Sequence, residues 1–463
     1  MEIDLIETEA YKYIDKVRAL ISGRRHYVYV HTFGCQQNEA DSERIRGLAA
    51  CMGYEVTEDE ALADLILINT CAIREHAEMK ALSFLGRFKH LKEKNPELVI
   101  GVMGCMSAQE RVVSEIRKRY PYVSFSAAPH MISRLPKLVY TAISENTRVF
   151  SIDEDRGDVV ENIPLARLDK YKAWVNIMHG CNNFCTYCIV PYVRGRERSR
   201  SSERVISECR ELIRDGAREI TLLGQNVNSY RSDIGFAELL SKIAAIDGDF
   251  LIRFMTSHPK DVPDELIEVM AANRGKIAPT FHLPLQSGSD RILRLMNRTY
   301  TREKYLDTVR RIRERIPDVA LTTDIIVGFP GESEEDFLAT LDILREVRFD
   351  MAYSFLYSPR EGTRAARMEE QIPKDVKDER MARLLELQRA ISLEENRECI
   401  GKTVRALVEG PSKRVKTVWT ARSEAGKAVH FEADEDLTGK FIEFEIERAG
   451  GFDLYGKIKN KEV

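Results

Sequence analysis

Apolar residues along this chain follow three regimes. The first holds short continuous runs: Tyr27-Val28-Tyr29-Val30, Leu65-Ile66-Leu67-Ile68 and Leu98-Val99-Ile100-Gly101-Val102-Met103. Unbroken runs of this length suit strands buried on both faces, as in a parallel sheet, and the segments between them are long enough for crossover helices. A short amphipathic helix is expected ahead of them, within residues 1–24. The second regime begins near residue 169 and alternates strand and helix patterns. Its strands are expected at Lys172–Met178, Glu219–Leu223, Leu251–Met255, Thr280–Leu285, Ala320–Val327 and Met351–Leu356, with helices such as Ser201–Arg214 and Ser333–Arg345 between them. Such alternation predicts a parallel barrel or partial barrel, closed by a charged helix over about Lys377–Glu398. In the third regime the period drops to two. Val404–Val408, Val415–Ala421, Val429–Ala433, Phe441–Ile446 and Leu454–Ile458 predict a small antiparallel β-barrel. The fold class expected is α/β: an N-terminal parallel-sheet domain, a central partial (β/α)6 barrel and a C-terminal β-barrel. The expected divisions are an extension at 1–24, a domain at 25–147, a polar acidic linker at 148–168, the central barrel with its closing helix at 169–398, and the terminal barrel at 399–463.

Cysteines sit at informative places in this pattern. Cys35, Cys71 and Cys105 each follow one of the first three apolar runs, 36 and 34 residues apart. Parallel strands with right-handed crossovers put all their C-terminal ends on one edge of the sheet, the edge where open α/β sheets bind ligands. Three cysteines at three such ends can meet, although each could also be a small buried core residue. The repeated placement favours a shared three-thiol site.

A second set, Cys181, Cys185 and Cys188, lies in Gly180-Cys181-Asn182-Asn183-Phe184-Cys185-Thr186-Tyr187-Cys188, after the first strand of the second regime. Three readings fit it. Four thiolates saturate a [4Fe–4S] cube, so three leave one iron free for a small molecule. A structural zinc site needs a fourth ligand, for which His179 is the nearby candidate. The spacing also puts three cysteines on one helical face, but Gly180, Asn182, Asn183, Pro191 and Gly195 mark the stretch as a loop. The cluster reading is favoured. Cys51, Cys209 and Cys399 stand alone and read as core residues.

The chain has 463 residues, 43% hydrophobic and 31% charged, enough for two to four domains. Its acidic start predicts no secretory signal, and no apolar run is long enough to span a bilayer. Nine cysteines then point to metal or redox chemistry in a reducing cytoplasm. A net charge of −4 gives no bulk attraction to nucleic acid. Local excess exists: five arginines from Arg194 to Arg204, and seven basic residues from Lys402 to Lys427. Arg194, Arg196, Arg198 and Arg200 are candidates for gripping RNA phosphates, or for pairing with carboxylates.

The Cys-x3-Cys-x2-Cys run, with an aromatic before its last cysteine, resembles the signature of radical S-adenosylmethionine (SAM) enzymes. Together with the first three-Cys set and the terminal barrel, it resembles the radical SAM methylthiotransferase family, whose C-terminal part is a TRAM domain. The runs His31-Thr32-Phe33-Gly34-Cys35-Gln36-Gln37-Asn38, Asn69-Thr70-Cys71-Ala72-Ile73-Arg74-Glu75, Leu223-Gly224-Gln225-Asn226-Val227-Asn228, Thr256-Ser257-His258-Pro259 and His282-Leu283-Pro284-Leu285-Gln286-Ser287-Gly288 carry the likeness. They are most similar to the branch that acts on isopentenyladenosine in tRNA.

The resemblance implies that Cys181, Cys185 and Cys188 hold a SAM-binding [4Fe–4S] cluster. It implies that Cys35, Cys71 and Cys105 hold an auxiliary [4Fe–4S] cluster carrying the sulfur to be transferred. Tyr187, Gln225, Asn226, Ser257 and Gly328 are the expected SAM or substrate contacts. The implied reaction converts N6-isopentenyladenosine, at position 37 next to the anticodon, into its 2-methylthio derivative, with SAM as methyl donor and radical source. The implied partners are the tRNA anticodon loop, an electron donor such as flavodoxin or ferredoxin, and a sulfur-supplying protein. A cytoplasmic monomer without membrane contact is expected. The competing readings are a methylthiotransferase acting on a ribosomal-protein aspartate or on threonylcarbamoyladenosine tRNA, and a non-catalytic Fe–S RNA-binding or sulfur-carrier protein.

Overall fold

The run Leu65–Thr70 is buried at every position because helices cover both faces of its sheet. Leu65 and Leu67 point into one core, with Val28, Val99 and Phe125, and Ile66 and Ile68 point into the other, with Ile100, Val102 and Phe88. This is the period-two alternation of a strand, hidden in the sequence because both faces are apolar. The structure, a computed structural model, describes residues 5–72, 75–151, 161, 163–255, 257–412, 415 and 417–459. Ile73, Arg74, residues 152–160 and 162 of the expected linker, Thr256, Lys413, Arg414 and Lys416 lie outside the described residues, as do the two chain ends.

Two compact units form. One comprises Met1–Leu168, Met178–Asn182 and Cys188–Arg200. The other comprises Asp169–Ile177, Asn183–Tyr187 and Ser201–Val463.

The first unit is built on a six-stranded, all-parallel sheet: β1 (His26–Phe33), β2 (Tyr54–Val56), β3 (Leu65–Thr70), β4 (Val99–Gly104), β5 (Phe125–Ala127) and β6 (Val149–Ser151). Their order is β2-β1-β3-β4-β5-β6. The three strands expected from the apolar runs are its centre. β2, β5 and β6, three residues each, are too short for a hydrophobic period to reveal. Register aligns Phe33 with Thr70 and Thr70 with Gly104, so β1, β3 and β4 end level with one another.

The second unit carries six parallel strands: β7 (Lys172–Asn176), and then, after the short first-unit ribbon of β8 (Met178–His179) and β9 (Arg198–Ser199), β10 (Glu219–Leu223), β11 (Leu251–Phe254), β12 (Thr280–His282), β13 (Ala320–Val327) and β14 (Met351–Leu356). They pair as β11-β10-β7 and β12-β13-β14. The triplets are linked where the Ile252 N–H donates to Lys276 O at 2.7 Å and the Ala278 N–H donates to Ile252 O at 2.9 Å. The expected strand Lys172–Met178 thus breaks after Asn176, because Met178 and His179 pair with β9 instead. Helix Glu334–Val347 starts at a capping box between Ser333 and Asp336, which satisfies backbone donors that a helix start otherwise leaves open.

The terminal barrel closes through β15 (Thr403–Pro411), β16 (Val418–Ser423), β17 (Ala428–Glu432), β18 (Phe441–Ala449) and β19 (Asp453–Ile458), in the order β15-β16-β17-β19-β18. Four pairings are antiparallel, and β17 with β19 is parallel. A closed ring with an odd number of strands cannot alternate direction throughout, so one parallel pair is a geometric necessity. Trp419, Phe431 and Phe444 fill its core. The barrel is fastened within its unit by Arg253, whose Nη1 and Nη2 donate to the carbonyls of Glu424 and Ser423. Lys427 adds an ion pair with Asp350 at 2.8 Å.

The closing helix, Lys374–Arg397, is tied to the end of β13 by a buried pair: Arg380 Nη1 donates to Glu332 Oε2 at 2.9 Å. Glu332 also accepts from the Gly328 N–H at 2.9 Å. Burial pushes the Glu332 carboxyl up to about 7, outweighing the pull of Arg380 in the other direction. A carboxyl raised in the folded state binds its proton more tightly there than in the unfolded chain. Its contribution is therefore full below the ordinary carboxylate range and is lost as pH rises through 7. Denaturant unfolding of the apoprotein and of Glu332→Gln should show the wild-type advantage falling by on the order of 3 kcal/mol between pH 4.5 and pH 8. Parallel pH profiles for the two proteins would contradict this.

Candidate functional site

Past the level ends of β1, β3 and β4 come Cys35, Cys71 and Cys105 in turn. Gly104 has φ of +99°, and a Cβ there would meet Asn69 Oδ1 at 2.3 Å and Thr70 O at 2.4 Å. Only glycine lets the chain turn out of β4 this close to β3. Buried polar groups lock the three ends together. Asn38 Nδ2 donates to Thr70 O at 3.1 Å, and Asn69 Nδ2 donates to Asn38 O at 2.7 Å and to Ser42 Oγ at 2.9 Å. Thr70 Oγ1 donates to Met103 O at 2.8 Å.

A hydrogen bond with the Cys71 side chain brings Cys35 down to about 6, against the effect of burial and helped by the charge of Arg194. Burial pushes the Cys105 thiol up, while Arg194 pulls it down. Arg194 Nε donates to Cys105 Sγ at 3.1 Å, and Arg194 Nη2 pairs with Asp41 Oδ2 at 2.7 Å, all of it buried. Burial opposes the charge on Arg194, but Cys105, Asp41 and Cys35 outweigh it and raise its pKa. Among the described residues, no group of three or more His, Cys, Asp or Glu side chains is gathered around a single ion position. A cubane takes one thiolate per iron and so needs its sulfurs spread. Three cysteines on one sheet edge, one of them hydrogen-bonded by a fixed buried cation, fit such a cluster.

The second cysteine loop joins β8 to the short helix Val190–Arg194. In the first unit, the Cys181 N–H donates to Gly195 O at 3.0 Å and the Asn182 N–H to Glu197 Oε1 at 3.1 Å. Gly180, with φ of +80°, lies so close to Arg196 that a Cβ would sit 2.0 Å from its carbonyl oxygen. In the second unit, Asn297 Nδ2 donates to the carbonyls of Asn183 and Phe184, both at 3.1 Å. Thr186 is held by the Leu295 and Met296 carbonyls. Arg298 is buried, with Nη1 3.5 Å from Cys185 Sγ and Nη2 donating to Pro284 O at 2.9 Å. Burial opposes its charge, yet Tyr300, Tyr187 and Cys185 raise its pKa well above the ordinary value.

The remaining candidates lie at strand ends of the second unit. Asn226 follows β10 and is buried; its Nδ2 donates to Asp261 Oδ2 at 2.8 Å, and its Oδ1 has no hydrogen-bond partner. Ser257 follows β11, and its buried Oγ has none either. Gln225 is half-buried beside Asn226. An unmet buried polar atom costs about 1–3 kcal/mol, so a polar ligand such as SAM at these strand ends fits the donors and acceptors present. Tyr187, like Ile326 of β13, packs against a cluster containing Phe329 and Tyr357. Gly328 lies in the same turn, beneath the Lys377 side chain.

Of the two readings of the arginines, pairing with carboxylates holds for Arg194 and Arg200. Arg194 and Arg200 do not face solvent: Arg194 is taken by Cys105 and Asp41, and Arg200 pairs with Glu161 at 2.6 Å. Neither can grip a phosphate backbone. Within the Lys402–Lys427 stretch, Arg405 pairs with Asp249 and Glu424, Arg422 with Glu409, and Lys427 with Asp350. Arg405 through Asp249 and Lys427 through Asp350 fasten the barrel to the rest of its unit, while the pairs with Glu409 and Glu424 lie inside it. Cys209 is fully buried, and Cys51 and Cys399 pack at core edges, as expected. Arg298, Asn38 and Asn228, whose side-chain amide also lacks partners, were not singled out. Asn38 and Asn228 lie inside runs that carry the family likeness, whereas nothing in the pattern around Arg298 marks it as buried.

Residues 27–127 match Uncharacterized protein family UPF0004, residues 175–344 the Radical SAM superfamily, and residues 397–459 the TRAM domain. A tRNA-2-methylthio-N(6)-dimethylallyladenosine synthase of Acetivibrio thermocellus is 50% identical over 457 residues, covering 96% of this chain and 95% of that protein. Proteins of the same name from Thermoanaerobacter sp. and Carboxydothermus hydrogenoformans are also 50% identical, over 440 and 434 residues, covering 94% and 93% of this chain and 93% and 98% of their own length. Among solved structures, the radical SAM methyltransferase TsrM from Kitasatospora setae has a TM-score of 0.54 at 14% identity, covering 82% of this chain and 79% of its own, a likeness of fold. With that identity over nearly its whole length, the chain belongs to the family of the tRNA-2-methylthio-N(6)-dimethylallyladenosine synthases, within the radical SAM superfamily.

Proposed function

We infer that this protein is a radical SAM methylthiotransferase that converts N6-isopentenyladenosine of tRNA, at position 37 beside the anticodon, into its 2-methylthio form. The observation that carries this is the 50% identity across 96% of the chain to a curated synthase of that name. The level ends of β1, β3 and β4, each followed by a cysteine, support it independently.

Cys181, Cys185 and Cys188 would hold the SAM-binding [4Fe–4S] cluster, and Cys35, Cys71 and Cys105 the auxiliary one. When bound, these groups supply radical cleavage of SAM and the sulfur atom to be transferred. The protein's own part is aim and shielding. Arg298 keeps a positive charge 3.5 Å from Cys185 Sγ, where it would offset the negative charge of a cluster held by thiolates. Asn226, Ser257 and Gln225 would contact SAM or substrate at the strand ends, and Tyr187 with Gly328 would line the adenine side. The adenine C2–H is not acidic, so proton-transfer chemistry does not reach it. The base must leave the anticodon-loop stack to present that carbon.

Residues 25–147 would act as the auxiliary-cluster domain behind an extension at 1–24, with 148–168 as linker. Residues 169–398 would act as the radical SAM barrel, and 399–463 as the RNA-binding barrel. A flavodoxin- or ferredoxin-like electron donor, a sulfur-supplying protein, a monomeric state and the cytoplasm complete the proposal. Among the described residues, no helix is long and apolar enough to cross a membrane.

Anaerobic turnover with SAM, reductant and undermodified tRNA tests the substrate, with mass analysis of the nucleosides. 2-Methylthio-N6-isopentenyladenosine should appear only when the tRNA carries isopentenyladenosine. Equal turnover of unprenylated tRNA, or turnover only of a ribosomal protein, would overturn the assignment. The two cysteine sets should also separate by chemistry. Replacing Cys35, Cys71 and Cys105 by Ala should abolish methylthio transfer and leave reductive cleavage of SAM to 5′-deoxyadenosine. Replacing Cys181, Cys185 and Cys188 should abolish that cleavage. Loss of cleavage in both folded variants would refute this division of labour.

A further inference from the structure

Arg194 lies buried against the sulfur of Cys105. Its side chain is 5% exposed, and Asp41, its ion-pair partner, is 2% exposed. It spends Nε on the sulfur of Cys105 and Nη2 on Asp41. A structural ion pair alone has no need of the sulfur. Cys105 and Val193, the residue before Arg194, share one small hydrophobic cluster with Ala72 and Ile189, which fixes the backbone that carries the arginine.

We propose that Arg194 is a positioning residue for the auxiliary cluster: it orients Cys105 Sγ by a charged hydrogen bond and raises the potential at which that cluster accepts an electron. This rests on the reading that Cys35, Cys71 and Cys105 hold one [4Fe–4S] cluster. The physical argument is direct. Accepting one electron adds one negative charge to the cluster. A buried cation at hydrogen-bond distance from one thiolate ligand stabilises that added charge, and low local dielectric keeps the effect from being screened. Hydrogen bonds to ligating sulfur act in the same direction. Asp41 holds the guanidinium in place and opposes its charge, so it sets the potential with the opposite sign. A role confined to fold stability predicts no such pair of opposed shifts.

The test uses the full chain with Cys181, Cys185 and Cys188 replaced by Ala, so that one cluster signal remains, reconstituted anaerobically with iron and sulfide. Iron analysis comes first. About four irons per chain support the auxiliary cluster; none would overturn that reading, and this inference with it. Potentiometric titration followed by electron paramagnetic resonance then gives the midpoint. Arg194→Gln should lower it, Arg194→Lys should lower it less because the charge remains, and Asp41→Asn should raise it. An iron-loaded Arg194→Gln protein with an unchanged midpoint would overturn the inference alone, as would shifts of the same sign in Arg194→Gln and Asp41→Asn. If Arg194→Gln holds no iron, Asp41→Asn decides: a raised midpoint supports the inference, and an unchanged or lowered one ends it.

Discussion

The register of three neighbouring strands governs the N-terminal half of this protein. Phe33, Thr70 and Gly104 lie side by side across β1, β3 and β4. Neighbouring strands are about 4.8 Å apart, so the outer two of three are separated by about 10 Å. Residues leaving those ends can therefore surround an object of cluster size, although they are tens of positions apart in sequence. A slip of one residue would turn a strand's side chains to the opposite faces. The buried network of Asn38, Asn69, Ser42 and Thr70 opposes such a slip, since each amide would lose partners that water cannot replace.

The same half was largely legible in the sequence, for a physical reason. Doubly covered parallel strands must be apolar throughout, so β1, β3 and β4 announce themselves, and right-handed crossovers dictate which ends share an edge. Strands β10, β13 and β14 were located residue for residue, because each is flanked by a recognisable helix. What stayed hidden depends on tertiary contact. The split after Asn176 follows from β8 pairing with β9, and the parallel β17–β19 pair follows from ring closure, which no local pattern encodes. The partners of the arginines stayed open between two readings for the same reason. Charge in a sequence does not reveal whether its partner is a phosphate or a neighbouring carboxylate, and Arg194, Arg200, Arg405 and Arg422 all found protein partners.

One electrostatic device recurs in both units. A cluster held by thiolates carries negative charge, which a fixed cation beside a ligating sulfur offsets. In the first unit Arg194 sits 3.1 Å from the sulfur of Cys105, and in the second unit Arg298 sits 3.5 Å from that of Cys185. Each guanidinium is held by further buried acceptors, so it remains aimed at its sulfur. The remaining barrel-end groups, Asn226 Oδ1 and Ser257 Oγ, are polar atoms awaiting a partner. Under the proposed assignment, fixed charge lies where metal would be bound and open hydrogen-bonding capacity where a ligand would lie.

The central claim is that two separate cysteine sets each hold a [4Fe–4S] cluster. Anomalous X-ray diffraction at the iron edge, from crystals of the anaerobically reconstituted wild-type protein, tests it most directly. The account predicts two iron-rich peaks, one bounded by Cys35, Cys71 and Cys105 at the sheet edge and one by Cys181, Cys185 and Cys188. A single iron-rich peak, or zinc in place of iron at the sheet edge, would contradict it.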